Sequence, residues 1–263
     1  MIDKIKYIWR IIRLPLLTAI VVAGGIFAVV KTQQKQNLLK INSVNITVSR
    51  GGDIVYLQKH DIENYLYGDH KVSLDSGKEI NEVNIHYVEN LLRENPYVRH
   101  AEVYVSQDGI IYLDIEQRQP VLKVYNKNNE VFNIDKDGII MPNNPKYPAY
   151  IRVANGNISA KYHDGDTAKN ILHSIFMLSR NISADTVMDA LIEQIYVNEK
   201  NNIILIPKVG DVAIIFGKAT NMKEKIKKIK DFYTAIPSFN SERRYKVLDA
   251  RFRDQIVGIK KEN

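Results

Sequence analysis

Apolar and polar positions change their pattern three times along the chain. From Leu14 to Val30 there is no charged residue. At roughly 1.5 Å per residue such a helix spans about 25 Å, close to the ~30 Å hydrocarbon core of a bilayer. Trp9, Arg10, Arg13 and Lys31 flank it, and such side chains reach into the membrane interface. Lys4, Lys6, Arg10 and Arg13 precede the run against one acid, Asp3. Excess positive charge stays on the cytoplasmic side, which predicts a cytoplasmic tail over 1–13, a spanning helix over 14–30 and an exported remainder. A cleaved signal peptide would share the basic start and could be cut near Ala23-x-Gly25. The run continues through Ile26–Val30, longer than a signal requires, so a retained, membrane-bound anchor is expected.

After a mostly polar linker over 31–40, the pattern becomes that of a folded domain. Val44–Val48 alternates as a strand does. A short helix is predicted over Lys59–Leu66, ended by Gly68, and a second over Asn81–Glu94. There Ile85, Val88, Leu91 and Leu92 form one stripe, and Asn95-Pro96 stops it. Ala101, Val103 and Val105, then Ile111, Leu113 and Ile115, alternate on either side of Gln107-Asp108-Gly109 and read as a hairpin. Strand, helix, helix, strand, strand gives a small sheet covered on one face.

The second half mixes strands and helices. Val131–Ile139 reads as strand, turn, strand. An amphipathic helix is expected over Thr167–Leu178. Ile195–Val197, Ile203–Ile206 and Val212–Phe216 read as strands separated by Asn201-Asn202 and Gly210-Asp211. A lysine-rich helix over Asn221–Tyr233 sets Ile226, Ile229, Phe232 and Tyr233 opposite Lys223, Lys225, Lys227, Lys228 and Lys230, read as a solvated face. In the last segment Leu248, Ala250, Phe252 and Ile256 alternate with Asp249, Arg251, Arg253 and Gln255. That alternation leaves Phe252 either in the core or at an interface.

Charge and composition then exclude several functions. The net charge is +7, but residues 1–40 hold seven bases and one acid, leaving the remainder at +1. The basicity belongs to the anchor, so no nucleic-acid partner is expected. Cysteine is absent, which excludes disulfides, thiol catalysis and Cys-ligated zinc or iron–sulfur centres. His60, His70, His86, His100, His163 and His173 show no i,i+4 pair. Asp135-Lys136-Asp137-Gly138 lacks the glutamate and glycine placement of a calcium loop and reads as a turn. No Gly-x-Ser-x-Gly, Ser-x-x-Lys or phosphate-binding glycine loop occurs. No catalytic residue, metal or cofactor is predicted, and the protein is not expected to be an enzyme.

Four stretches carry a family resemblance. Asn95-Pro96-Tyr97-Val98-Arg99-His100-Ala101-Glu102-Val103, the turn Asp108-Gly109 with Ile111–Ile115, and Glu116-Gln117-Arg118-Gln119-Pro120-Val121 together resemble a POTRA domain. Tyr245–Val257 resembles the final strands of the FtsQ/DivIB cell-division proteins, with Asp254 where that family has glycine. The resemblance implies an α+β chain: transmembrane helix, POTRA domain (βααββ) over 41–118, an FtsQ-type β-domain of antiparallel sheet with flanking helices over 119–260, and a tail over 261–263. It further implies a non-enzymatic divisome scaffold in the cell inner membrane, single-pass, with its carboxy-terminal domains periplasmic and enriched at the septum. FtsB/FtsL-like partners would add a strand near the last β-strand, through Arg251, Phe252, Arg253, Ile256 and Ile259. Other division proteins would reach the POTRA domain and the spanning helix. The rival readings are another POTRA-type binding protein that handles exported polypeptides, and a membrane-anchored enzyme of unrecognised type.

Overall fold

The computed structural model describes residues 21–27, 39–52, 54–159, 170–235 and 244–261. Of the expected span, residues 21–27 are described and are helical, with Val21, Val22, Ile26 and Phe27 exposed. Among the described residues no helix is long and apolar enough to cross a membrane. Trp9, Arg10, Arg13, Lys31, most of the 31–40 linker and His163 lie outside the described residues. The remainder forms two units: one of the chain up to Ser49 with Leu57–Glu116, the other of Arg50–Tyr56 with Gln117 onward.

The first unit has three strands, β1 (Ser43–Ser49), β2 (Val98–Val105) and β3 (Ile110–Gln117). Their order is β1-β3-β2, with β1 parallel to β3. Gly109 closes the β2–β3 turn at φ +79°, where an added Cβ would meet the Lys40 carbonyl. Helix α1 (Lys59–Glu63) widens into a π-helical turn over Asn64–Asp69, burying Ile62 and Leu66. Helix α2 spans Ile85–Glu94. It starts four residues later than its apolar stripe predicts, because the Asn84 side chain accepts from the Tyr87 amide at 2.9 Å and caps it there. Ile80–Glu82 form a separate 3-10 turn. Val88, Leu91 and Leu92 meet Ala101, Val103, Ile111, Leu113 and Ile115 in one core, and Ala101 is fully buried.

The second unit is a nine-stranded mixed sheet of order β12-β11-β10-β9-β8-β7-β4-β5-β6. Its strands are β4 (Pro120–Tyr125), β5 (Val131–Asp135), β6 (Ile140–Pro142), β7 (Arg152–Gly156), β8 (Ile192–Val197), β9 (Ile203–Pro207), β10 (Ala213–Gly217), β11 (Tyr245–Asp249) and β12 (Val257–Lys260). The expected antiparallel sheet is corrected to a mixed one: β4 and β7, β7 and β8, and β10 and β11 pair in parallel. Parallel neighbours need a crossover. Helices α3 (Ile171–Ser183) and α4 (Thr186–Leu191) connect β7 to β8, and α5 (Met222–Ala235) lies between β10 and β11. Asn170 caps α3, so of the helix expected from Thr167 the described part begins at Ile171 and runs on to Ser183. Leu172, Ile175, Phe176, Ile182, Met188, Ile226 and Ile229 pack on Leu122, Val124, Ala154, Ile195, Leu205, Ile214 and Leu248.

Two buried polar arrangements hold this unit. Arg152 of β7 is buried and donates from Nε to the Ile192 carbonyl at 3.2 Å, from Nη1 to Ser179 Oγ at 3.2 Å and Ser183 Oγ at 3.0 Å, and from Nη2 to Asp189 Oδ1 at 2.7 Å. One side chain thus ties β7 to β8, α3 and α4. The second arrangement is a strap. Gln117 accepts from the Tyr56 amide at 2.9 Å and donates to the Ile54 carbonyl, and Gln119 donates to the Arg50 carbonyl. Tyr56 is fully buried and its hydroxyl accepts from Asn133 Nδ2 at 2.9 Å. Asp135, also buried, pairs with Arg118 at 2.8 Å and accepts from the amides of Asp137 and Ile139, so the acidic tetrad is a side-chain-closed turn.

Two stability outcomes follow. Asp189→Ala leaves a buried guanidinium without its carboxylate and is expected to cost about 3 kcal/mol, the low end for a broken buried pair because Asp189 is half exposed. Tyr56→Phe removes the main partner of Asn133, whose Oδ1 already has none among the described residues, and should cost about 1–3 kcal/mol. Urea unfolding of each variant against the parent measures both.

Candidate partner-binding edge

A sheet edge can accept a strand where its outward N–H and C=O groups are unpaired and nothing covers them. The two sheets have four edges, and they are treated differently. On β2 the Arg93 Nε of α2 donates to the Ala101 carbonyl at 3.2 Å and the Val103 amide donates to Glu89 Oε2 at 3.2 Å. An ion pair of 2.6 Å between Arg93 and Glu89 holds that cap in place. β6 is three residues long and ends at Pro142, which cannot donate. β1 and β12 carry no such cap among the described residues.

β12 is exposed along its length. It runs antiparallel to β11, with Val247 opposite Ile259 and Asp249 opposite Val257. The Lys261 amide donates to the Arg244 carbonyl, so Lys261 faces β11. By strand alternation Gly258 and Lys260 then direct their backbone groups outward. Gly258 lies against Tyr245, where a Cβ would come within 2.4 Å of the ring. Tyr245 in turn packs edge-on to Phe232 of α5.

The turn before β12 carries the residues expected to meet a partner. Arg251 bonds Asp249 twice, through Nε at 2.9 Å and Nη2 at 2.6 Å, and its backbone amide also donates to Asp249 Oδ1. These bonds hold the Asp249 carboxyl below the ordinary carboxylate range, against the opposing effect of its burial. The aliphatic stem of Arg251 lies on Gly217, which a Cβ would obstruct at 2.8 Å. Asp249 ends β11, and the chain bends over 252–254. Phe252 therefore leaves the core face that alternation allowed it and stands 47% exposed. Arg253 is exposed, Ile259 is 53% exposed, and Ile256 is half-buried against the core.

The lysine helix is corrected more sharply. Lys225 is buried and its Nζ donates to the carbonyls of Phe216 at 3.0 Å and Lys218 at 2.8 Å. Burial, with Lys228 nearby, pushes its pKa down. Lys228 donates to the carbonyls of Ala250 and Phe252, and Lys230 pairs with Asp185 at 2.7 Å. Three of the five lysines thus bind the sheet or α4 rather than water. The signal was present: Lys225, Lys228 and Phe232 fall at i, i+3 and i+7, one stripe beside Ile226 and Ile229. Among the described residues no group of three His, Asp or Glu could hold a metal ion.

Beyond the edge, one face of the large sheet has no helix on it among the described residues. Register aligns Tyr125, Asn155, Tyr196, Ile204, Ile215, Asp249 and Val257 in one row across seven strands. Lys123, Val153, Gln194 and Ile206 form the next.

Comparison with known families places this geometry. Residues 119–259 match the family described as FtsQ/DivIB, C-terminal related, and residues 40–116 match a POTRA-like domain. No curated protein matches the chain.

The Asp249–Arg251 pair sets a pH dependence. A depressed carboxylate contributes stability that is complete above its ordinary value and is lost as pH falls through the folded one. Asp249→Asn should therefore flatten the acid limb of the stability curve. Urea midpoints from neutral pH down through the carboxylate range, parent against variant, give the comparison.

Proposed function

The chain belongs to the FtsQ/DivIB C-terminal related family, and on that premise we propose that it is a non-enzymatic division scaffold that receives a strand from FtsB/FtsL-like partners on β12. The carrying observation is the open outer edge of β12, bordered by exposed Phe252, Val257 and Ile259. A partner strand laid there gains main-chain hydrogen bonds from Gly258 and Lys260, and its alternate side chains meet Val257 and Ile259 on the open face. Arg251 sets the turn through Asp249, while Phe252 and Arg253 point to solvent beside the arriving strand. β1, the other uncapped edge, lies outside the matched 119–259 region.

The reading includes a membrane anchor over 14–30 that keeps the tail cytoplasmic and delivers both units outside, at the septum. The uncharged run, its basic flank and the exposed apolar side chains of residues 21–27 support it.

Full-length protein captured from solubilised membranes should recover small single-span division proteins. Lys260→Pro deletes one outward N–H that the fold does not use, and Phe252→Ala removes an exposed ring, so each should abolish or weaken recovery while melting stays unchanged. Undiminished recovery by a folded Lys260→Pro protein would rule out strand addition at β12. Because the chain has no cysteine, a single introduced one reports topology. Gln36→Cys should react with an impermeant maleimide on whole cells and Tyr7→Cys should not; the reverse labelling would overturn the anchor.

A further inference from the structure

The open face of the large sheet carries a second candidate site at its other end, over β4, β7 and β8. Tyr125, Asn155 and Tyr196 are direct cross-strand neighbours there. Both phenol rings stand in solvent, 42% and 37% exposed, and neither hydroxyl has a hydrogen-bond partner among the described residues. With one strand between them and strands about 4.8 Å apart, the two tyrosines lie roughly 10 Å apart on a sheet surface. Between them Gln194 Nε2 donates to Asn155 Oδ1 at 2.9 Å, which orients both amides and leaves the Asn155 amide hydrogens and the Gln194 carbonyl oxygen for a ligand. Gly156 sits at φ +105°, where a Cβ would approach the Tyr196 ring at 3.0 Å and the Val197 carbonyl at 2.1 Å. Only glycine lets that ring rest against the backbone, so its tilt is set by the fold.

The loops above complete a shallow cleft of about 520 Å³, with Asn129, Asn157 and the opposed charges of Lys127 and Glu199 at its rim. Asn157 is spent on Asn201 at 2.8 Å and Asn126 on its own turn, so the loops hold their shape without a ligand. The remaining chemistry is two aromatic platforms, a paired amide, a rim whose two charges offset each other, and Lys123 one row away.

We propose that this row binds a neutral, extended oligosaccharide. A pyranose ring has an apolar C–H face and a rim of hydroxyls. The face stacks on a tyrosine, and the rim exchanges hydrogen bonds with amides and phenols. Two platforms about two strand spacings apart receive alternate rings of a flat, linear chain. A peptide has less to gain here, because the backbones of β4, β7 and β8 are already paired with one another and offer no edge. A polyanion gains less: Lys127 is offset by Glu199 at the rim, which leaves Lys123 of the neighbouring row as the cation on this part of the face. The proposal is independent of strand addition at β12, because the two sites stand at opposite ends of the sheet row.

The test uses the full chain in a sugar-free detergent, titrated with the tetramer of N-acetylglucosamine and with cellotetraose, binding being followed by saturation-transfer NMR. Saturable binding of at least one is expected. Tyr125→Ala and Tyr196→Ala should each weaken it about tenfold or more, while Tyr196→Phe keeps the stack and stays within about threefold. Tyr150→Ala, exposed elsewhere, should bind as the parent does, and all variants should melt with it. Binding of the acetylated tetramer alone supports the site and assigns the amide pair to the acetamido group; binding of both supports it through stacking. Failure of both tetramers to saturate, or unchanged binding by the folded double variant Tyr125→Ala/Tyr196→Ala, overturns it.

Discussion

The guanidinium of Arg152 is the interaction on which the larger unit rests. Its strand is a short one and contributes only Ala154 to the centre of the core. What β7 brings instead is a buried cation whose donors reach the end of α3, the first turns of α4 and the start of β8. Two parallel neighbours joined by a helical crossover have no tight turn to set their register. Here the register comes from a side chain that can satisfy its donors in only one arrangement. The open face inherits that precision, since the register that opposes Asn155 and Tyr196 is the one Arg152 fixes through the Ile192 carbonyl.

A second constraint is the management of sheet edges. The chain caps β2 with an Arg–Glu pair from its own helix and ends β6 at a proline, yet leaves β12 bare. The difference is not neglect of that end of the sheet. Lys225 reaches from α5 to the carbonyls of Phe216 and Lys218 at the end of β10, Lys228 reaches those of Ala250 and Phe252, and Arg251 clamps Asp249, so the start of the turn leading into β12 is bonded from two sides. A rigid approach to an unpaired edge lowers the ordering cost of receiving a strand.

Much of this was legible in the chain. The β2–β3 hairpin, α2, and the strands β8 to β10 all follow periodicity and turn residues, because each buries one face and punctuates with Gly109, Asn201 or Gly210. β4 and β7 are the strands that periodicity leaves out: β4 begins with proline and alternates only over Leu122, Lys123 and Val124, and β7 spends a buried position on arginine. Lys225 misled because a charge normally reports solvent, whereas this one is held by carbonyls, which a sequence does not display. At the candidate site, the exposure of Ile259 fits an edge strand, but Phe252 could not be assigned from alternation once the strand stopped at Asp249. The tyrosine–asparagine row was invisible because its members lie 30 and 41 residues apart and meet only through parallel register.

The strap also has a consequence in time. Tyr56 emerges early, yet its hydroxyl partner Asn133 lies 77 residues later. At roughly 5–20 residues per second of synthesis, that separation is about 4–15 s during which a large aromatic side chain and two stretches of backbone have no native place to go. In that interval the segment is open to proteolysis, and the interval ends when β5 arrives. The first unit can close on its own meanwhile, so the exposed interval is confined to seven residues, and quality control acting there would discard chains that stall before the second unit is complete.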